Sequence, residues 1–175
     1  SGGHEVSSRW FLMSERVNVT IRVNGVEITD EVEPRVTLLA FLRNHGYTEV
    51  HRGCDEGKCG ACTVLLDGKS VKSCLVLAVQ ADGGSVTTVR GLTKEGELHP
   101  IQRAFLEEYA MQCGYCTHGF IMVTYDFLTN ISKEADPELI SESIRNICRC
   151  TGYTSIIKAI KRASEYLNGN TKGSS

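Results

Sequence analysis

An α+β fold in two unlike parts is predicted by three features of this 175-residue chain. Apolar residues alternate with a period of two near its start, the pattern of a half-buried strand. They recur at helical spacing in its second half. Eight cysteines interrupt both patterns, in two groups of four. A sheet-rich unit is expected over residues 17–90 and a helical unit over 91–167. Residues 1–16 and 168–175 are expected to be disordered ends.

In the first unit, Val17, Val19, Ile21 and Val23 alternate with Asn18, Thr20 and Arg22. Asn24-Gly25 suits a type I′ turn, and Val26 and Ile28 continue on a return strand. Thr37–His45 suits a short helix that Gly46 ends. A glycine-rich cysteine loop follows, then a strand at Cys62–Leu66, a turn at Asp67-Gly68 and a late strand at Val86–Val89. Hairpin, helix and further strands in that order predict a β-grasp unit.

Past residue 91 the pattern turns helical. His99-Pro100 opens a helix to about Tyr109, proline suiting the first turn. Phe120, Met122, Val123, Phe127 and Leu128 suggest a second through Asn130. Asp136, a capping residue before Pro137, starts a third to about Ile147. Thr154 caps a fourth, with Ile157, Ile160 and Leu167 on one face. The expected result is a four-helix bundle.

Composition excludes several classes. Hydrophobic residues make up 41% of the chain, yet no apolar run is long enough to span a bilayer. A net charge of −2 gives no electrostatic case for nucleic acid or an anionic membrane. Ser1–Met13 has a single arginine, Arg9, and no twin-arginine pair. A cytoplasmic chain with metal-bound thiols is therefore expected, not a secreted disulfide scaffold. Ser1–Leu12 reads as an extension ahead of a native Met13.

The first cysteine group, Cys54, Cys59, Cys62 and Cys74, opens with C-x₄-C-x₂-C, the plant-type spacing of a [2Fe–2S] cluster held by four thiolates. Gly53, Gly57 and Gly60 let backbone amides approach a negatively charged cluster. Arg52 and Lys58 either soften that charge or form ordinary solvated surface. Zinc prefers paired knuckles and fits the outlying Cys54 and Cys74 poorly. The second group, Cys113-x₂-Cys116 with Cys148-x-Cys150, fits zinc or a cluster by spacing. Its two turns fall between helices and so are expected to meet at one end of the bundle.

Three segments carry a family likeness: Gly53–Val64 (GCDEGKCGACTV), Gln112–Thr117 (QCGYCT) and Asn146–Tyr153 (NICRCTGY). Together they resemble the small iron–sulfur subunit of the molybdenum hydroxylases, the xanthine dehydrogenase, aldehyde oxidoreductase and aerobic carbon monoxide dehydrogenase family. The likeness runs from about Val17 to Leu167. It implies a plant-type ferredoxin-like domain followed by a helical domain, each with one [2Fe–2S] cluster. It further implies that Cys113, Cys116, Cys148 and Cys150 hold the cluster nearer molybdenum, and that Cys54, Cys59, Cys62 and Cys74 hold the one nearer FAD. Gln112 and Cys150 would lie beside the pterin. The implied partners are a large molybdenum-pterin subunit and a medium FAD subunit, in a hetero-oligomer such as a dimer of heterotrimers. Substrate oxidation would take place on the large subunit, so no catalytic residue is expected here.

One position departs from the family pattern. Where Cys-Thr-Pro-Gly is usual, the chain has Cys116-Thr117-His118-Gly119. His118 is either a tolerated change at a helix start or a group that contacts the partner or pterin and titrates near neutral pH. His4, His45, His51 and His99 show no partner pattern. Two other readings compete with the subunit: a stand-alone two-cluster ferredoxin, and a zinc-stapled interaction module.

Overall fold

The computed structural model describes residues 16–110, 112–148 and 153–169. Most of the expected disordered ends, and the predicted ligand Cys150, lie outside the described residues.

Five strands form one mixed sheet in the order β2-β1-β5-β3-β4. They are β1 (Val17–Val23), β2 (Val26–Val32), β3 (Thr63–Leu66), β4 (Lys69–Lys72) and β5 (Ser85–Thr87). As the alternation predicts, Val19, Ile21 and Val23 are buried. The hairpin turn has φ of 52° at Asn24 and 85° at Gly25, the two positive values that a type I′ turn requires. Strand β2 lies at the sheet edge with Glu27, Asp30 and Glu31 exposed, charges that discourage edge-to-edge pairing. Helix α1 (Leu38–Asn44) begins at Thr37, whose Oγ1 accepts from the Ala40 amide at 3.1 Å. Its Leu38, Leu39, Phe41 and Leu42 join Val19, Ile21 and Val64 in one core.

The late strand is shorter than expected. β5 stops at Thr87 because the Asn24 side chain takes over the pairing. The Thr88 amide donates to Asn24 Oδ1, and Asn24 Nδ2 donates to Thr88 Oγ1, both at 2.9 Å. Val89 instead opens a one-turn helix, α2 (Val89–Leu92).

The remaining helices are α3 (Pro100–Glu107), α4 (Thr117–Asp126), α5 (Pro137–Ser143) and α6 (Thr154–Leu167). A wider π-type turn prolongs α4 over Phe127–Ile131. Helix α5 ends at Ser143, short of the expected Ile147. The Ile147 amide donates to the Cys59 carbonyl of the first cysteine loop, so it is not available for the intrahelical bond that continuing α5 would require. The buried face of α6 is Ile156, Ala159, Ile160 and Ala163, whereas the expected Leu167 is 44% exposed. Helices α3 and α6 pack on each other most extensively, while α4 packs more on β3 than on α3. No helix among the described residues is long and apolar enough to cross a membrane.

Two cores result, and β3 separates them: Val64 belongs to the sheet core and Leu65 to the helical one. Outside the helical core, Glu107 accepts from Tyr166, Arg103 and Arg162. Those donors, Tyr166 foremost, hold its carboxyl down to about 2. Exposed pairs of this kind contribute little beside the apolar contacts beneath them.

His99, without a partner pattern in the sequence, caps α3: its Nδ1 accepts from the Ile101 amide at 3.2 Å, while Gln102 Oε1 accepts from the His99 amide at 2.9 Å. Burial, then nearby Lys94, lowers the His99 pKa below 6.5. Only the neutral ring can accept, so the unfolded chain binds the proton more readily. Stability is expected to be full above pH 6.5 and to fall as pH drops below it. His99→Asn, which caps without titrating there, should flatten that part of a denaturant-stability profile against pH.

Candidate metal centres

The first cysteine loop folds around its own sulfur. Cys54 Sγ accepts from three backbone amides, those of Lys58 at 3.2 Å, Glu56 at 3.3 Å and Cys59 at 3.4 Å. The amides of Cys59 and Glu56 outweigh burial and lower the Cys54 thiol to about 6, so it is a thiolate at neutral pH. Gly53 is needed for close approach: a Cβ there would stand 2.5 Å from Cys59 Sγ. Cys74, on the short turn Ser73–Leu75, is pushed up to about 11 by burial and then by neighbouring Cys62. Cys54 also acts on Cys74, and Cys59 on Cys54, so the four predicted thiols form one group. Ser73 Oγ donates to the Cys62 carbonyl at 2.7 Å and ties the two buried members together.

Arg52 and Lys58 lie at the surface of the loop. Arg52 pairs with Asp55 at 3.1 Å and Lys58 with Glu56 at 2.8 Å, all well exposed. A different lysine, Lys72, donates to the Gly57 carbonyl inside the loop.

The second group forms where α4 begins. Cys116 is the N-cap residue of α4, Cys113 is exposed on the preceding turn, and Cys148 is buried. Burial, then Cys148 and Cys113, raises the Cys116 thiol to about 12. Cys116 thus lies near both Cys148 and Cys113, and Cys150 lies outside the described residues. The Cys148 amide donates to the Tyr153 hydroxyl at 3.1 Å. Gln112 is exposed beside Cys113.

The two groups are fastened together through backbone. The Ile147 amide donates to the Cys59 carbonyl at 2.9 Å, and Asn146 Nδ2 donates to the Gly60 carbonyl at 3.2 Å. A Cβ on Gly119 would stand 2.1 Å from the Gly60 oxygen, and one on Gly60 would stand 2.4 Å from Asn146 Cγ. At the surface His51 stacks on Tyr115, ring centres 4.5 Å apart, and its Nδ1 bonds the Tyr115 carbonyl at 2.7 Å. The Tyr115 hydroxyl in turn donates to the Arg52 carbonyl. Sequence reasoning missed His51, and an aromatic residue inside a C-x₂-C turn was the one available signal.

His118 is 4% exposed, and its Nε2 bonds the Thr63 carbonyl at 2.7 Å. Burial lowers its pKa to about 4, so it neither reaches a partner surface nor titrates near neutrality.

These residues suit [2Fe–2S] clusters by their chemistry. The donors are thiols, and amides converge on one sulfur where a cluster's negative charge needs them. The seven described cysteines form no disulfide. Among the described residues no three His, Cys, Asp or Glu side chains gather as a single-ion site.

Comparison with known proteins agrees. Residues 21–88 match the 2Fe-2S iron-sulfur cluster binding domain family and residues 88–161 the [2Fe-2S] binding domain family. The chain is 48% identical over 143 residues to the 6-hydroxypseudooxynicotine dehydrogenase complex subunit beta of Paenarthrobacter nicotinovorans, covering 81% of this chain and 89% of that one. It is 44% identical to the nicotine 6-hydroxylase small subunit of the same organism, covering 91% and 96%. The crystal structure of quinoline 2-oxidoreductase from Pseudomonas putida 86 superposes with a TM-score of 0.82 at 37% identity, covering 90% of this chain and 100% of that one. The fold and thiol groups thus define a two-cluster iron–sulfur protein. The chain belongs to the small iron–sulfur subunits of the molybdenum hydroxylases, the electron-transfer components of multi-subunit oxidoreductases whose molybdenum-pterin and FAD reside on other subunits.

The tight approach at Gly119 yields a test. Gly119→Ala should push α4 off the first cysteine loop and lower the iron bound per chain, although Gly119 ligates nothing. Iron analysis with visible absorption reads the loss.

Proposed function

We propose that this chain carries electrons between the two partner sites in a fixed order, with the ligand sets divided as the motifs imply. Cys113, Cys116, Cys148 and Cys150 hold the cluster nearer the molybdenum, and Cys54, Cys59, Cys62 and Cys74 the cluster nearer FAD. Gln112 and Cys150 face the pterin. When bound, the two clusters supply one-electron oxidation and reduction at two separated points. The residues supply the fixed spacing. The observation that carries this reading is the 2.9 Å hydrogen bond from the Ile147 amide to the Cys59 carbonyl. It joins a ligand of one group to the residue just before Cys148 of the other, leaving the two thiol groups a single hydrogen bond apart along the backbone.

The remaining assignments follow from that division. Residues 17–90 form a β-grasp, plant-type ferredoxin-like domain and 91–167 a four-helix bundle domain. The partners are a large molybdenum-pterin subunit and a medium FAD subunit, in a hetero-oligomer such as a dimer of heterotrimers, in the cytoplasm. In sequence, exposed Tyr109, Tyr115, Ile147 and Tyr153 flank the second cysteine group, and apolar side chains of this kind are what a covering subunit would bury. Substrate choice lies on the large subunit. Nitrogen heteroaromatics are the first class to try, because the relatives named above act on nicotine-type and quinoline compounds.

In the assembled complex, Cys59→Ser should leave substrate able to reduce the cluster of the helical domain while blocking reduction of the flavin. Electron paramagnetic resonance after rapid mixing with substrate reads both. If neither cluster accepts electrons in that variant, the assigned order is wrong.

A further inference from the structure

His118 has no role in ligating a cluster, yet its ring lies between the two groups. Its position follows from strand geometry. Strand residues two apart direct their backbone N–H and C=O to the same edge. Leu65 of β3 faces Thr87 of β5, the last residue of that strand. Thr63, two residues earlier, therefore presents its polar groups to an edge where no strand continues. Its amide turns back to the Gly60 carbonyl at 3.1 Å. Its carbonyl meets His118 Nε2 at 2.7 Å. A carbonyl only accepts, so Nε2 carries the proton and Nδ1 is left as a bare lone pair. Nδ1 is buried with no hydrogen-bond partner among the described residues. An unpartnered buried acceptor costs stability, and an apolar side chain here would avoid that cost. What the ring supplies in return is the Nε2 hydrogen bond.

We infer that His118 is a positioning residue: its hydrogen bond to Thr63 holds the first turn of α4, capped by Cys116, against the start of β3, which follows Cys62, and so sets the spacing and orientation of the two clusters. This rests on the two-cluster relay proposed above. Proline at this position would suit the helix start but carries no donor.

The test is made on the full chain loaded with iron and sulfide, by electron paramagnetic resonance of the fully reduced protein. The magnetic splitting between two reduced clusters depends on their distance and relative orientation. His118→Gln, whose amide places an N–H near the Nε2 position, should keep the wild-type splitting. His118→Phe, matched in bulk but without a donor, should keep its iron and change the splitting, with several-fold slower electron transfer between clusters. If the Phe variant does not hold both clusters, His118→Asn takes its place, its amide too short to reach Thr63. Equal splitting in the Gln variant and the donor-less or shortened variant overturns the proposal, whether both match wild type or both depart from it. A wild-type chain that takes up no paired clusters overturns the relay itself, which the wild-type sample reports separately.

Discussion

The turn from Cys59 to Thr63 is the constraint on which the rest depends. Its backbone is buried against the helical half with almost no side chain between, since residues 60 and 119 are glycines. Its carbonyls at Cys59, Gly60, Cys62 and Thr63 all accept hydrogen bonds: from Ile147, from Thr63 and Asn146, from Ser73, and from His118. A hydrogen bond formed here contributes about 0.5–1.5 kcal/mol net, whereas a buried carbonyl left without a donor costs about 1–3 kcal/mol. That asymmetry weighs most at the Cys59 and Thr63 carbonyls, where Ile147 and His118 donate. It also fits the end of α5 at Ser143, since a helix continued through Ile147 would withdraw the Ile147 amide from the Cys59 carbonyl.

The thiols divide in a second way, by charge. Cys54 sits at about 6 because backbone amides of its own loop stabilise the thiolate. Cys74 and Cys116 sit at about 11 and about 12 because burial penalises the charged form and no comparable set of donors offsets it. Iron takes thiolates, so loading would release protons from Cys74 and Cys116, and metal binding would be coupled to folding of both loops.

Legibility in the sequence followed the range of the interactions. Asn24-Gly25, the Thr37 cap with Gly46 beyond α1, and His99-Pro100 are local signals, and the structure places a turn or helix end at each. The C-x₄-C-x₂-C and C-x₂-C spacings are local signals, whereas the meeting of Cys116 with Cys148 is a product of the fold. The early end of β5 was not legible, because it depends on Asn24, which lies 64 residues away from Thr88. The end of α5 depends on Cys59, whose carbonyl takes the Ile147 amide and lies far from it in sequence. For His118 the structure removes the partner-contacting alternative, and the bonds that His118 and His51 make could not be seen because their partners, Thr63 and Tyr115, are adjacent only after folding.

Strand β3 explains why the relation between the two thiol groups is set once. Successive strand residues point to opposite faces, so Val64 and Leu65 must enter different cores. A slip of one residue would exchange them and expose both cores to the wrong partner. Cys62 immediately precedes this strand, and Cys116 caps the helix packed on it. The position of one ligand relative to the other is therefore carried by side-chain alternation along one strand, with hydrogen bonds from Asn146, Ile147 and His118 removing the remaining freedom. A flexible linker between two independently folded units would let the separation of the clusters fluctuate. Sharing a strand between cores removes that fluctuation without adding a single ligand.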